Sequence, residues 1–144
     1  MRHSPIRTAL LAAALAVTIT GIAQAQDALT APKVRAQLEA QGYTKIKDVK
    51  FDDGLWEAEA TSANGKRVDV RLDPATGTIY PETSVSQLSE ADIRAQLSTA
   101  GYTKVKDVKF DDGLWKAEAT DANGQKLELR LDPTNGKVIG RTQD

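Results

Sequence analysis

Two adjacent acidic pairs are the residues of this sequence whose type and spacing could do chemistry. Asp52 and Asp53 precede Gly54, and the same three residues recur from Asp111 to Gly113. Paired carboxylates could ligate calcium or act as a general acid and base. An Asp-Gly pair between alternating apolar residues is also the usual turn of a β-hairpin. An EF-hand needs several further oxygen ligands in one fixed loop, and none are present. We therefore favour hairpin turns, and we predict no catalytic residue, metal site or cofactor.

The first 25 residues have the three parts of a secretory signal peptide. Arg2 and Arg7 supply positive charge, an apolar run extends from Ala9 to Ile19, and small residues lead up to Ala25. The run is shorter than the ~20 apolar residues of a membrane span, although an uncleaved anchor is the alternative. We expect cleavage after Ala25 and a soluble, periplasmic or secreted product without a membrane anchor.

The composition after cleavage restricts the chemistry further. The chain has no cysteine, and its single histidine, His3, is removed with the signal peptide. This excludes Ser-His-Asp and Cys-His catalysis and zinc sites built on His or thiolate. Without Arg2 and Arg7, 17 basic residues remain against 20 acidic ones, a net charge of −3. We therefore expect a protein that is not an enzyme and does not bind nucleic acid.

An ungapped internal repeat with an offset of 59 residues organises the rest of the chain. We divide the chain into a signal peptide (1–25), repeat one (27–80), a polar linker (81–87) and repeat two (88–141). The motifs that recur are Val34–Leu38 at Ile93–Leu97, Gly42–Lys45 at Gly101–Lys104, Lys47–Trp56 at Lys106–Trp115, and Arg71–Pro74 at Arg130–Pro133.

Each repeat begins with helix signals and continues with strand signals. Thr30 and Ser89 are candidate N-caps, and Gly42 and Gly101 are placed to end the helices. After each glycine the apolar residues alternate with polar ones, as in half-buried strands. We predict an α+β fold with two repeats, each one helix packed on a three- to four-stranded antiparallel β-sheet. Because each repeat is small, we also expect the repeats to share an interface.

The turns fix the predicted strand register of repeat one. A two-residue turn at Asp53 pairs Phe51 with Trp56 on the inner side and Lys50 with Glu57 on the outer side. A three-residue loop ending at Gly65, with that glycine left-handed, pairs Ala60 with Val68 and Glu57 with Arg71. The alternation directs Trp56 and Trp115 towards the helices, which favours core packing over a ligand-stacking platform.

One row on the outer face differs in charge between the repeats. Lys50, Glu57 and Arg71 alternate in sign, whereas the equivalent residues of repeat two are all basic. Like charges opposite each other on a sheet are unfavourable. The row is either a solvated basic face or a surface that meets an acidic partner or an acidic part of repeat one. The candidate partner-binding residues are Lys109, Lys116 and Arg130.

The order of these motifs resembles the PepSY domain, a family named for peptidase propeptides and a sporulation-associated protein. The resemblance rests on the helix, Gly-Tyr-Thr, Asp-Asp-Gly-Leu-Trp, Ala-Asn-Gly and Arg-Leu-Asp-Pro, and it covers 30–80 and 89–140. These are mostly turn and core residues, which specify a fold rather than an activity. The resemblance implies an extracytoplasmic domain that inhibits or regulates peptidases, and it implies no catalytic residues.

Two functions remain open after the sequence analysis. The first is an exported, non-catalytic binding module with a protein partner, in particular a peptidase that it inhibits or regulates. The second is a cell-envelope sensor or a small-ligand or ion-binding module that uses the acidic turns or the outer sheet faces. Capture of partners from the cell envelope would separate the two.

Overall fold

The computed structural model describes residues 28–144, so the predicted signal peptide lies outside the described residues. Each repeat is one helix followed by a four-stranded antiparallel sheet with strands in sequence order, which confirms the predicted α+β fold. Repeat one consists of α1 (Ala31–Ala40), β1 (Thr44–Asp52), β2 (Leu55–Thr61), β3 (Arg67–Leu72) and β4 (Ile79–Pro81). Repeat two consists of α2 (Glu90–Thr99), β5 (Thr103–Asp111), β6 (Leu114–Thr120), β7 (Lys126–Leu131) and β8 (Val138–Gln143).

The two helices begin differently although they occupy equivalent positions. At the predicted N-cap, the Ser89 hydroxyl accepts a hydrogen bond from the Asp92 amide, and the Asp92 carboxylate accepts one from the Ser89 amide, which closes a capping box. The hydrogen bonds that the Asp92 carboxylate accepts from the Ser89 amide and from the Ser89 hydroxyl lower the pKa of Asp92. The Thr30 side chain makes no capping hydrogen bond, and α1 instead has Pro32 in its first turn. Proline is suited to that position because its missing N–H would have no helical partner there.

Both helices end at the predicted glycines. Gly42 has a φ of +89° and Gly101 a φ of +91°, a backbone conformation that favours glycine. The next amide turns back onto the helix, since Tyr43 N donates to Leu38 O at 3.1 Å. This closing bond satisfies a carbonyl that the end of the helix would otherwise leave unpaired.

The strand register agrees with the predicted one at both hairpins of repeat one. Phe51 lies opposite Trp56 and Lys50 opposite Glu57, while Ala60 lies opposite Val68. Gly65 has a φ of +81°, as the three-residue loop requires. Positive φ angles also occur at the Asp-Gly turn, with Asp53 at +50° and Gly54 at +79°, as this type of two-residue hairpin turn requires.

The first strand of each sheet is irregular, which the alternation rule did not predict. Lys45 and Asp48 have positive φ angles, and the register between β1 and β2 shifts twice. The same irregularities recur in β5 at Lys104 and Asp107. Each bulge adds a residue and bends the strand, so the core-facing residues of β1 are not spaced by two.

A separate apolar core lies beneath each helix. The small side chains of Ala58 and Ala60 lie in the middle strand beneath α1. The first core contains the buried residues Val34, Leu38, Ile46, Ala58, Ala60, Val68, Val70 and Leu72. The second contains Ile93, Leu97, Val108, Trp115, Ala117, Ala119, Leu127, Leu129 and Leu131.

The aromatic pairs at the hairpin ends are less enclosed than predicted. The rings of Phe51 and Trp56 meet edge to face with centroids 5.4 Å apart, and Phe110 and Trp115 lie at the same distance. Phe51 is nevertheless 55% exposed and Phe110 37% exposed. The buried residues of α1, Val34 and Leu38, pack in the same core as Ile46. Phe51, which lies beside the hairpin turn, is not part of that core.

Candidate functional site: the junction between the repeats

The helix-free faces of the two sheets meet near their hairpin turns. Leu55 and Leu114 follow the two Asp-Gly turns and point away from the helices, because each precedes an inward tryptophan. Together with Tyr80 they form a third buried cluster, and Ile139 packs against it. The junction therefore draws on both sheets, and its largest side chains are removed from water.

The hairpin turn of each repeat lies against the last strand of the other. A side-chain carbon added at Gly54 would lie 2.7 Å from the backbone N of Arg141 in β8. One added at Gly113 would collide with the backbone oxygen of Pro81 in β4. The contacts are reciprocal, as in an isologous dimer interface. Glycine is therefore required at these turns both for the positive φ and for the close approach of the other repeat.

The second aspartate of each turn pairs with an arginine of the other repeat. The guanidinium of Arg130 lies 2.6 Å from the Asp53 carboxylate. In the other half, Arg71 donates to the backbone oxygen of Asp112 at 2.9 Å, and its guanidinium lies 3.6 Å from the Asp112 carboxylate. The acidic turns thus act as hairpin turns, as predicted, and their carboxylates also join the repeats.

One buried hydrogen bond crosses the junction without a symmetric counterpart. The Tyr80 hydroxyl donates to the Asp132 carboxylate at 2.7 Å, and residue 139, which is equivalent to Tyr80, is isoleucine. Burial, together with the hydrogen bond to Asp132, raises the pKa of the Tyr80 hydroxyl. Asp132 also accepts hydrogen bonds from the backbone N of Thr134 at 2.7 Å and of Asn135 at 3.2 Å. All three of these hydrogen bonds to the buried carboxylate come from other groups of the protein.

The predicted basic row exists, but two of its three residues have acidic partners within the protein. Lys109 lies opposite Lys116, and Lys116 lies opposite Arg130. The Lys116 ammonium pairs with Asp111 at 2.8 Å and with Asp112 at 3.2 Å. Arg130 pairs with Asp53 of repeat one, so an acidic part of repeat one does meet the row. In residues 28–144, the Lys109 side chain makes no ion pair or hydrogen bond, and its role in binding a partner stays a prediction.

The linker passes over the tryptophan of repeat two and is fastened to it. The indole N–H of Trp115 donates to the Ser86 hydroxyl oxygen at 2.8 Å, and that hydroxyl donates to the Pro133 carbonyl at 2.6 Å. The backbone N of Leu88 also donates to the Ser86 hydroxyl oxygen, at 3.1 Å. Trp115 is consequently 7% exposed, whereas Trp56 is only half-buried. Both indoles pack on their cores, as predicted.

The helical motif shared by the repeats has a role that the sequence analysis did not recognise. The Arg94 guanidinium of α2 donates to the backbone oxygen of Val105 at 2.8 Å, and Arg35 of α1 makes the same contact with Ile46. Both acceptors lie in the bulged first strands. The signal in the sequence was Arg-Ala-Gln, which recurs unchanged at 35–37 and 94–96.

Two further observations concern the residues 28–144 as a whole. None of their helices is long and apolar enough to cross a membrane. Among them, no group of three or more Asp, Glu, His or Cys side chains is arranged to hold a metal ion.

Comparison with known proteins gives one family. The model of the peptidase propeptide and YPEB domain, a PepSY model, matches residues 7–83 and again residues 81–142. The chain belongs to this PepSY family. The two matches follow the two repeats, so the chain is a tandem PepSY protein. PepSY domains are generally propeptide or regulatory modules rather than catalytic ones. No curated protein and no solved structure matches the chain.

Proposed function

We propose that this tandem PepSY protein is an exported, non-catalytic binding module that inhibits or regulates a peptidase. The observation that carries the proposal is the family match, which covers both repeats. The geometry supports it, because the second aspartate of each acidic turn joins the two repeats. Asp53 and Asp112 are paired with Arg130 and Arg71, and Asp132 accepts three hydrogen bonds from other groups of the protein.

The proposed compartment is the periplasm or the exterior. Proteins of the PepSY family are typically extracellular or periplasmic, and residues 1–25 have the order of a signal peptide. Mass spectrometry of the exported protein is expected to give a chain that starts at Gln26. Retention of residues 1–25 in the membrane fraction would contradict cleavage after Ala25.

The test of the binding function is capture of partners from the envelope fraction with the full mature chain. We expect a peptidase among the captured proteins and a lower activity of that peptidase when the chain is added. Capture of no peptidase, together with an unchanged activity of the envelope peptidases, would reject the proposal.

The basic row supplies a candidate for the partner-facing side. Among residues 28–144, Lys109 is the member of the row that forms no ion pair or hydrogen bond, so its ammonium can approach an acidic surface. Its charge does act on Asp111, whose pKa is lowered by the hydrogen bond and charge of Lys116 and, to a smaller extent, by Lys109. Replacement of Lys109 by Glu is expected to weaken capture at low salt and to have less effect at high salt. Lys50→Glu at the equivalent position of repeat one is the matched control, and an equal loss in both variants would argue against a special role of repeat two.

A further inference from the structure

The linker between the repeats contains the most exposed large apolar side chain of the part of the chain that the structure describes. Val85 is 82% exposed, while its neighbours Ser84 and Ser86 are partly buried. Exposure alternates from Ser84 to Leu88, which is the periodicity of an extended strand. The segment from Ser84 to Gln87 therefore has the exposure pattern of an extended stretch, with Val85 and Gln87 on the outside.

Both sides of Val85 are fastened to the body of the protein. On the upstream side, the backbone N of Glu82 donates to the Asp69 carbonyl, and the backbone N of Ser84 donates to the Pro81 carbonyl, each at 2.9 Å. On the downstream side, Ser86 is held by Trp115 and Pro133. A single exposed valine is ordinary on a protein surface. An exposed valine held between two anchors is a preorganised binding element, because little conformational freedom is lost when it is bound.

The backbone of the same segment is available to a partner. Within residues 28–144, no main-chain N–H or C=O of Val85, Ser86 or Gln87 makes a hydrogen bond. An extended peptide with unpaired backbone groups can add to the edge of a partner's sheet, and alternate side chains then enter pockets. Serine peptidases choose their substrates by the side chain that enters a primary pocket, and that pocket is small in elastase, acidic in trypsin and a wide apolar slot in chymotrypsin.

We propose that Ser84–Gln87 is a substrate-like segment that occupies the active-site cleft of a peptidase whose primary pocket is small and apolar, with Val85 in that pocket. This inference rests on the proposed function and names the surface that carries it. The partner is a peptidase of elastase-type specificity, because a valine side chain fills a small pocket. In an acidic pocket it would leave the carboxylate unpaired, and in a wide pocket it would leave empty space.

The proposal also predicts the fate of the bound segment. If the peptidase hydrolyses the Val85–Ser86 amide, water adds across that bond and leaves a carboxylate on Val85 and an amino group on Ser86. The halves remain associated through the buried cluster of Leu55, Tyr80 and Leu114 and through the Asp53–Arg130 pair. We expect the cut chain to elute as one particle, with a mass increase of one water and a single cleavage position.

The experiment compares the full mature chain and its variants against elastase, trypsin and chymotrypsin. The wild-type chain is expected to inhibit elastase. Val85→Lys is expected to lose ~10-fold or more in affinity for elastase and to gain inhibition of trypsin, and Val85→Phe to gain inhibition of chymotrypsin. Because Val85 is exposed, these variants should unfold at the same urea concentration as the wild type. Ala122→Lys, which adds the same charge at an exposed turn of repeat two, is expected to behave as the wild type.

The outcomes separate this inference from the proposed function. Elastase inhibition that is unchanged in both Val85 variants would overturn the inference and leave peptidase regulation standing, through another surface. Absence of inhibition by the wild type and by both variants would also overturn it, while the capture experiment decides the proposed function independently. Ser86→Ala removes the downstream anchor, and we expect it to weaken inhibition and to increase the rate of cleavage after Val85.

Discussion

Trp56 and Trp115 occupy equivalent positions in the two repeats but differ in burial. Trp115 is covered by the linker and donates to Ser86, whereas Trp56 is only half-buried. We expect Trp115→Ala to lower the free energy of unfolding by about 3–5 kcal/mol, as deletions of large buried aromatic side chains do, and Trp56→Ala to lower it by less. Urea unfolding followed by circular dichroism measures both. Equal losses would show that the linker contributes nothing to the burial of Trp115.

Tyr80 gives a prediction for the dependence of stability on pH. The pKa of its buried hydroxyl is raised in the folded state, so the folded protein keeps the phenol proton that the unfolded chain releases near pH 10. Its contribution to stability is therefore complete below about pH 10 and is lost as the pH rises further. Tyr80→Phe is expected to cost about 1–3 kcal/mol at pH 7, because it removes a hydrogen bond to a carboxylate.

The measurement is the free energy of unfolding of both proteins between pH 7 and pH 11. The difference between wild type and Tyr80→Phe should be constant at the lower pH values and should shrink at the highest ones. Tyr102→Phe, in a residue with no hydrogen bond of its hydroxyl among residues 28–144, is the control for loss of a tyrosine. A difference that stays constant up to pH 11 would mean that Tyr80 ionises as readily in the folded protein as in the unfolded one.

Single residues also show where alternation predicts burial and where it does not. The alternation rule placed Phe51 on the inner side of β1, but the residue of that strand buried in the core is Ile46, and Val49 packs partly buried against the same core. The bulges at Lys45 and Asp48 break the period of two, and neither residue is a glycine that would have signalled a positive φ. Phe51 lies opposite Trp56 as predicted, yet its side chain is exposed.

At the scale of the elements, the Asp-Gly turns both form the hairpins and contact the other repeat. Gly113 and Gly124 have similar φ angles, +78° and +80°, but a side chain at Gly113 would meet Pro81 and one at Gly124 would meet nothing within 4 Å. We expect Gly124→Ala to cost about 1–2 kcal/mol from the left-handed backbone alone. Gly113→Ala should cost about 1–3 kcal/mol more, because β4 must move.

Thermal or urea unfolding of the two alanine variants measures this difference directly. Gly54→Ala and Gly65→Ala form the same comparison in repeat one, where only Gly54 contacts the other repeat. Similar losses in all four variants would mean that the turns do not contact the opposite strands in solution.

The elements themselves follow from local sequence, since the helix ends, the hairpin turns and the strand register of repeat one were all predicted from glycines, Asp-Gly pairs and parity. What joins the repeats was not predictable in the same way. The aspartate that forms a turn and the arginine that pairs with it lie 77 residues apart, and no local pattern relates them. The row containing Arg130 gave the one hint, because three basic residues side by side require acidic neighbours.

At the scale of the whole molecule, the junction should make the two repeats depend on each other. Repeat one alone would expose Leu55 and Tyr80, which are buried against repeat two. We expect residues 26–84 to unfold at a lower urea concentration than the full mature chain, or to form dimers through the same face. Urea unfolding together with sedimentation at several concentrations measures both. A monomeric repeat one with the stability of the whole chain would show that the junction does not stabilise it.

The Asp53–Arg130 pair is the most direct test of the junction. Arg130 is 13% exposed and lies 2.6 Å from Asp53, so salt should screen the pair less than it screens surface pairs. We expect Asp53→Asn and Arg130→Gln each to cost about 1–3 kcal/mol, with a coupling energy of at least ~1 kcal/mol in the double variant. Asparagine tolerates the positive φ of Asp53, so the first variant changes the charge without straining the turn.

The pair of Arg71 and Asp112 provides the matched double-mutant cycle. Its coupling energy should be smaller than that of Asp53 and Arg130. Arg71 keeps its hydrogen bond to the backbone oxygen of Asp112 after Asp112→Asn, and it also pairs with Glu57 at 3.1 Å. The carboxylate itself lies farther away, at 3.6 Å. Unfolding in urea at low and high salt measures both cycles. Equal coupling energies for the two pairs would mean that their unequal distances have no energetic consequence. No coupling in either pair would mean that the apolar cluster alone stabilises the junction.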